Sequence, residues 1–249
     1  MSVFTDVTLT IRDSMSCLCR RDFLLLIVAT SMAVIRRAKR VQDKSERRGY
    51  HHAVRDTDIL LNPKRLWCRE EILARPSPVP GQPGVYAWYF RQIPRGVPIE
   101  GCIRHQGSTL LYVGMSPKEP SKNSATSSRQ TLRSRLRQHF AGNASGSTVR
   151  LSVGCLLSEQ LGIQLRRVGH SERMTFANGE QKLSAWLGEN AFVTWMVDTQ
   201  PWLLEGQLIG SLSLPLNLDQ NAAHRFCAVL SAKRREARSD ARVLPVLGR

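Results

Sequence analysis

At 249 residues, with 42% apolar side chains, the chain is long enough for one domain with tails or two small domains, and too hydrophobic for global disorder. Its 36 Lys and Arg against 20 Asp and Glu leave a net charge of +16, spread as +6 over residues 1–80 (15 basic, 9 acidic) and +10 over residues 81–249 (21 basic, 11 acidic). A basic excess that is not confined to one tail favours polyanionic partners, nucleic acid first and an anionic membrane surface second. The cysteines (Cys17, Cys19, Cys68, Cys102, Cys155, Cys227) form no C-x-x-C pair, which argues against a structural zinc site and a disulfide scaffold. Free thiols in a reducing cytoplasm are the expectation.

Residues 23–35 are an apolar run flanked by Arg20, Arg21, Arg36 and Arg37. The run is shorter than the ~20 residues a bilayer-crossing helix needs, so no stable membrane span is expected. Residues 36–58 are polar and lack apolar periodicity, and residues 1–58 together read as a poorly ordered extension. A short helix is predicted over 67–73, stopped by Pro76, Pro78 and Pro80. The aromatic run 85–90 predicts a strand, 94–107 a loop, and 109–114 a second strand antiparallel to the first. Residues 118–128 read as a polar, flexible insertion.

Leu132, Leu136 and Phe140 recur at four-residue spacing and predict a helix over 131–140 with an apolar stripe on the sheet and arginines around it. An amphipathic helix is predicted over 148–162, short strands over 165–168 and 174–176, a helical piece over 183–187, and a third long strand over 191–197. Pro201 suits the first turn of a helix over 202–212, and Pro215 ends it. Residues 222–241, rich in alanine and arginine, predict a basic helix.

Phosphodiester hydrolysis needs an activated water, a proton acceptor, and positive charge for the phosphoryl and leaving oxygens. Glu205 is a candidate ligand for a hard divalent cation whose other positions are filled by water and phosphate; by itself it reads more readily as a solvated helix glutamate. Its company is what carries information. P-G-V-Y at 83–86, L-Y-V-G at 111–114, L-R-S-R-L at 132–136, L-L-E-G-Q-L-I at 203–209 and L-P-L-N at 214–217 follow in that order. Together they resemble the GIY-YIG nuclease superfamily over roughly residues 83–221.

The resemblance implies a catalytic set of Tyr86, Tyr112, Arg135, Glu205 and Asn217, with Mg²⁺ or Mn²⁺ on Glu205. Tyr112 would take the water's proton with Tyr86 as its hydrogen-bonded neighbour. Arg135 would clamp the phosphate, and Asn217 would hold the turn after the Glu205 helix. Arg133, Arg137 and His139, and on the last helix Lys233, Arg234 and Arg238, would touch the nucleic acid backbone; His139 reads equally as a structural histidine. Met115 stands where many relatives carry lysine. The expected fold is α/β (α+β), a small central three-stranded sheet flanked by helices, with a nuclease domain over 59–221 and a basic C-terminal helix over 222–249. The expected function is a metal-dependent DNA endonuclease; the rival is a catalytically weak or inactive nucleic-acid-binding module on the same scaffold.

Overall fold

The computed structural model describes residues 57–120, 129–169 and 172–248. The expected N-terminal extension, apart from its last two residues, lies outside them, as does most of the 118–128 insertion. The strands are β1 (Gly84–Phe90), β2 (Arg104–His105), β3 (Ser108–Ser116), β4 (Arg166–Arg167), β5 (Met174–Thr175) and β6 (Ala191–Val197). A four-stranded antiparallel sheet runs in the order β2-β3-β1-β6, and β4 and β5 make a separate ribbon.

The sheet therefore has one strand more than the sequence predicted. β2 pairs Arg104 with Thr109 and His105 with Ser108 across a two-residue turn, Gln106-Gly107, whose φ angles are +48° and +72°. Two consecutive positive φ values make the tight hairpin turn that matches strand twist. A two-residue strand is too short to show alternation, which is why 94–107 looks like a plain loop.

β1 lies between β3 and β6, and all its residues are buried. Its side chains alternate between two apolar clusters, as strand geometry requires. Tyr86, Trp88 and Phe90 pack with Leu132, Leu136 and Phe140 of the helix Leu132–Ala141, while Val85, Ala87 and Tyr89 pack with Leu110 and Val113 of β3 and with Leu204, Leu208 and Ile209 further along the chain. Each such large side chain, fully buried, is worth about 1.5–3 kcal/mol. The register slips between Trp88 and Tyr89, leaving Leu111 unpaired with β1, and its carbonyl accepts instead from the Leu216 N–H at 3.0 Å.

The helices are α1 (Asp58–Leu61), α2 (Arg69–Leu73), α3 (Leu132–Ala141), α4 (Thr148–Leu156), α5 (Ser158–Leu161), α6 (Gly179–Asn190), α7 (Pro201–Ser211) and α8 (Cys227–Val243). Thr131 and Ser134 cap α3 reciprocally: the Thr131 hydroxyl accepts from the Ser134 N–H, and the Ser134 hydroxyl accepts from the Thr131 N–H at 2.9 Å. Losing such a cap costs about 1 kcal/mol. The single helix predicted over 148–162 breaks at Leu157 into α4 and α5, and the left-handed Gly162 (φ +57°) ends the second piece. α8 is integral to the fold, since its Leu230 and Ala241 are fully buried in the same core as Tyr86.

Candidate active site

The register of β1 and β3 sets Tyr86 opposite Gly114 and Trp88 opposite Tyr112, so both phenols rise from one face of the sheet. Gly114 matters because the Tyr86 ring lies across it. A Cβ at 114 would stand 2.5 Å from the Tyr86 hydroxyl and 2.6 Å from Cζ. Tyr86 is 1% exposed, and its hydroxyl lies 2.7 Å from Nε2 of His139, whose Nδ1 is 2.6 Å from the Ser147 hydroxyl. Ser147 also caps α4 by accepting the Arg150 N–H at 3.2 Å. Tyr112 is 8% exposed and pairs with the Thr148 hydroxyl at 3.3 Å. The phenols thus have separate partners, not each other as the sequence suggested.

His139 is the clear correction. It is 0% exposed, with both ring nitrogens engaged, so it cannot reach a backbone phosphate. Burial, then Arg135 and Arg150, hold its pKa well below 6.5. A neutral imidazole fixed between two hydroxyls orients Tyr86.

Arg135 projects from the first turn of α3. One terminal nitrogen donates to the Gly146 carbonyl at 3.0 Å. Burial acts to lower its pKa, but Tyr86, Tyr112 and Glu205 around it outweigh that and leave it raised. Burial likewise lifts both phenols above 10, with Arg135 pulling each back down and Glu205 pushing each up. Tyr86, Tyr112, Arg135 and Glu205 thus lie within one another's electrostatic reach.

Glu205 comes from α7, whose apolar residues pack on the other face of the sheet. It is 8% exposed and makes no hydrogen bond or ion pair among the described residues. Burial and then Asp219 raise its pKa to about 7, against the opposing pull of Lys118 and Arg135. Asn217 secures the chain after α7. Its amide accepts from the Val113 N–H at 2.9 Å and donates to the Val113 carbonyl at 2.8 Å, so one side chain pairs with the β3 edge as a strand residue would.

The remaining predicted contacts divide. Arg133 donates Nε to the Val79 carbonyl at 2.7 Å, and Arg137 donates to the Leu73 carbonyl at 3.2 Å, so they tether α3 to the segment after α2 and to the last residue of α2 itself. Arg234 and Arg238 line an open cleft of about 560 Å³ together with Lys118, Arg135, Thr148 and Arg173; Lys233 is exposed outside it. Sequence reasoning missed Thr148, Lys118 and Asp219. Thr148 opens a predicted helix and so carried a positional signal, whereas Lys118, in the irregular stretch after β3, and Asp219, in a turn, are placed only by the tertiary fold.

No cluster of three or more metal-ligating side chains occurs among the described residues. A nearly buried, unpartnered carboxylate beside an open cationic cleft nevertheless fits a hard cation that draws its other ligands from water and phosphate. No helix among the described residues is long and apolar enough to cross a membrane. Neither the curated proteins nor the solved structures include a match to this chain. The family model of the GIY-YIG catalytic domain matches residues 84–236, more than half of the chain, and spans β1, the cap of α3, Glu205, Asn217 and the first half of α8. The chain belongs to the GIY-YIG family, whose catalytic domain is that of a nuclease.

Proposed function

We propose that the protein is a metal-dependent endonuclease that hydrolyses DNA phosphodiester bonds, with Glu205 as the protein ligand of Mg²⁺ or Mn²⁺. The carrying observation is Glu205 itself: nearly buried, without a hydrogen-bond or ion-pair partner among the described residues, and within electrostatic reach of Arg135 and both phenols. GIY-YIG nucleases are generally dependent on a divalent metal. A divalent ion held by Glu205 would supply a Lewis acid for the phosphate and would offset the Glu205 charge, which adds to burial in raising the Tyr112 pKa.

The protein's own groups do the rest. Arg135, always charged and planar, binds a non-bridging oxygen and stabilises charge as it develops there. Tyr112 is the more open phenol, and its partner Thr148 lines the cleft, so it faces the water; its own proton passes to bulk water through the open cleft, a loss that the Arg135 charge favours, and the phenolate so formed takes the proton of the attacking water. Tyr86, immobilised by His139, keeps the Arg135 side of the site in shape. Asn217 keeps α7 at a fixed height over β3. The rival of binding without cutting rests on Met115 and on the lack of a recognisable partner domain; against the first, Lys118 supplies an amine whose charge reaches Glu205, which favours the catalytic reading. The net charge of +16 supports a nucleic acid substrate.

The test is cleavage of supercoiled and linear DNA by the full chain in Mg²⁺, compared with EDTA and with Glu205→Ala. The expected loss on either treatment is at least about 10²–10³-fold, the scale seen when one preorganised electrostatic group is removed. Cutting that persists undiminished in Glu205→Ala overturns the assignment.

A further inference from the structure

We propose that the cleft beside Arg135 holds a second, uncut phosphate of the same nucleic acid strand, clamped by Arg234 and Arg238 of α8 and by Arg173 near the start of β5. The identity of the ligand rests on the nuclease reading above; the clamp itself rests on the cleft. Its cationic lining residues are Lys118, Arg135, Arg173, Arg234 and Arg238, and Glu172 is the acidic one. The volume of about 560 Å³ is in the range of pockets that enclose a small ligand, ample for a sugar-phosphate unit.

Three further observations point to an anion there. The Nε of Arg234 is buried and has no hydrogen-bond partner among the described residues. A buried donor left unpaired is costly, and a bound oxygen that it can reach removes the cost. Burial and the neighbouring Arg238 both depress the Arg234 pKa, so the two guanidiniums repel each other, and an anion shared by both would relieve that repulsion. Lastly, α4 begins at Thr148 on the cleft wall, and the positive end of its dipole adds to the field.

The position also fixes which phosphate this is. Arg135 is common to both places, acting on Tyr86, Tyr112 and Glu205 while lining the cleft. Arg234 feels the charges of Tyr112 and Asp219 as well. A strand held at Glu205 and Tyr112 therefore continues past Arg135 toward α8. Arg173 is already braced by donating Nε to the Ser145 hydroxyl at 2.9 Å. The helix that looked in sequence like a basic appendage becomes a wall of the substrate path.

The experiment measures binding of a short fluorescein-labelled DNA duplex by anisotropy across a salt series. It uses the full chain carrying Glu205→Ala, so that nothing is cut. Adding Arg234→Gln with Arg238→Gln is expected to weaken binding about 10-fold at fixed salt and to flatten the slope of log K against log salt by about 1–2. The control, Arg235→Gln with Arg242→Gln, removes equal charge from exposed positions of α8 outside the cleft and is expected to leave the slope unchanged. Arg234→Lys with Arg238→Lys restores the slope and guards against loss of folding. A control pair that flattens the slope as much as the cleft pair overturns the clamp, and so does a cleft pair with no effect. If the unmodified protein cuts in Mg²⁺ while the slope ignores the cleft pair, the clamp fails and the nuclease stands. If the slope responds but no metal cofactor supports cutting, the clamp stands and the nuclease reading fails.

Discussion

Tyr86 and Glu205 are almost equally hidden from solvent, yet their surroundings differ in kind. Tyr86 heads a buried chain of partnered groups that passes through His139 and Ser147 to Arg150 and Glu180. Glu205 has no such partner and takes its environment from the charges of Asp219, Lys118 and Arg135. One half of the site is finished like a core, and the other is completed by what binds it. Rigidity on the first side and unmet charge on the second are what a site that positions a phosphate around a cation requires.

The largest effect that can sharpen this contrast comes from the far end of the chain of partners. Arg150 is fully buried and donates to the His139, Phe140 and Glu180 carbonyls, to the Ser184 hydroxyl and to the Glu180 carboxylate at 2.6 Å. Glu180 in turn accepts from the N–H groups of Ala144 and Phe176. Arg150→Met fills similar volume but leaves that carboxylate without its cation. The expected loss is about 3–5 kcal/mol in urea unfolding. A loss under about 1 kcal/mol would show that the finished half owes its order to apolar packing alone.

Glu205→Gln works in the opposite direction and comes next in size. The folded protein binds the Glu205 proton up to about pH 7, whereas an ordinary glutamate releases it near 4.5. Below 4.5 both states are protonated and the residue is neutral to stability. Between 4.5 and 7 the unfolded chain has lost the proton and the folded one retains it, so stability falls as pH rises, and above 7 the penalty is complete. In EDTA the glutamine variant is therefore expected to be more stable by about 3 kcal/mol at pH 8, and by almost nothing at pH 4.5. Urea midpoints at the two pH values read this directly; equal gains at both would mean that Glu205 is not strained by its burial. The same variant should be deficient in cleavage, a trade of stability for function at one side chain.

Much of this arrangement is visible in the sequence where periodicity is strong. β1, β3 and β6 declare themselves by aromatic and β-branched runs, and α3 by its four-residue apolar spacing. His139 was legible too: 132, 136, 139 and 140 are i, i+4, i+7 and i+8, so the histidine lies on the buried stripe. Its chemistry as a residue type drew it outward; its position in the helix turned it inward. The partner of Arg150 was not legible, because Glu180 is thirty residues away and starts a helix whose docking no local pattern records. β2 was hidden by its brevity. The closeness of Arg234 to Tyr112 depends on α8 packing back over α4, a contact that charge counting along the helix does not reveal.

The mildest test joins the two halves through Gly114. Its backbone does not need glycine for its dihedral angles, since it is absent from the positive-φ residues of the fold; the requirement is space. In Gly114→Ala the new methyl meets the Tyr86 ring, with the backbone of β3 pinned on one side by β1 and on the other by the Asn217 amide at Val113. The phenol has to yield, and moving it stretches its bond to His139. Overpacking of this kind costs roughly 1–3 kcal/mol. Activity should fall by more than the stability change accounts for, because Arg135 loses the neighbour it lies against, and an added Tyr86→Phe should bring little further loss. If Gly114→Ala instead lowers stability but leaves cleavage intact, Tyr86 only fills space, and the division between a positioning half and a binding half does not hold.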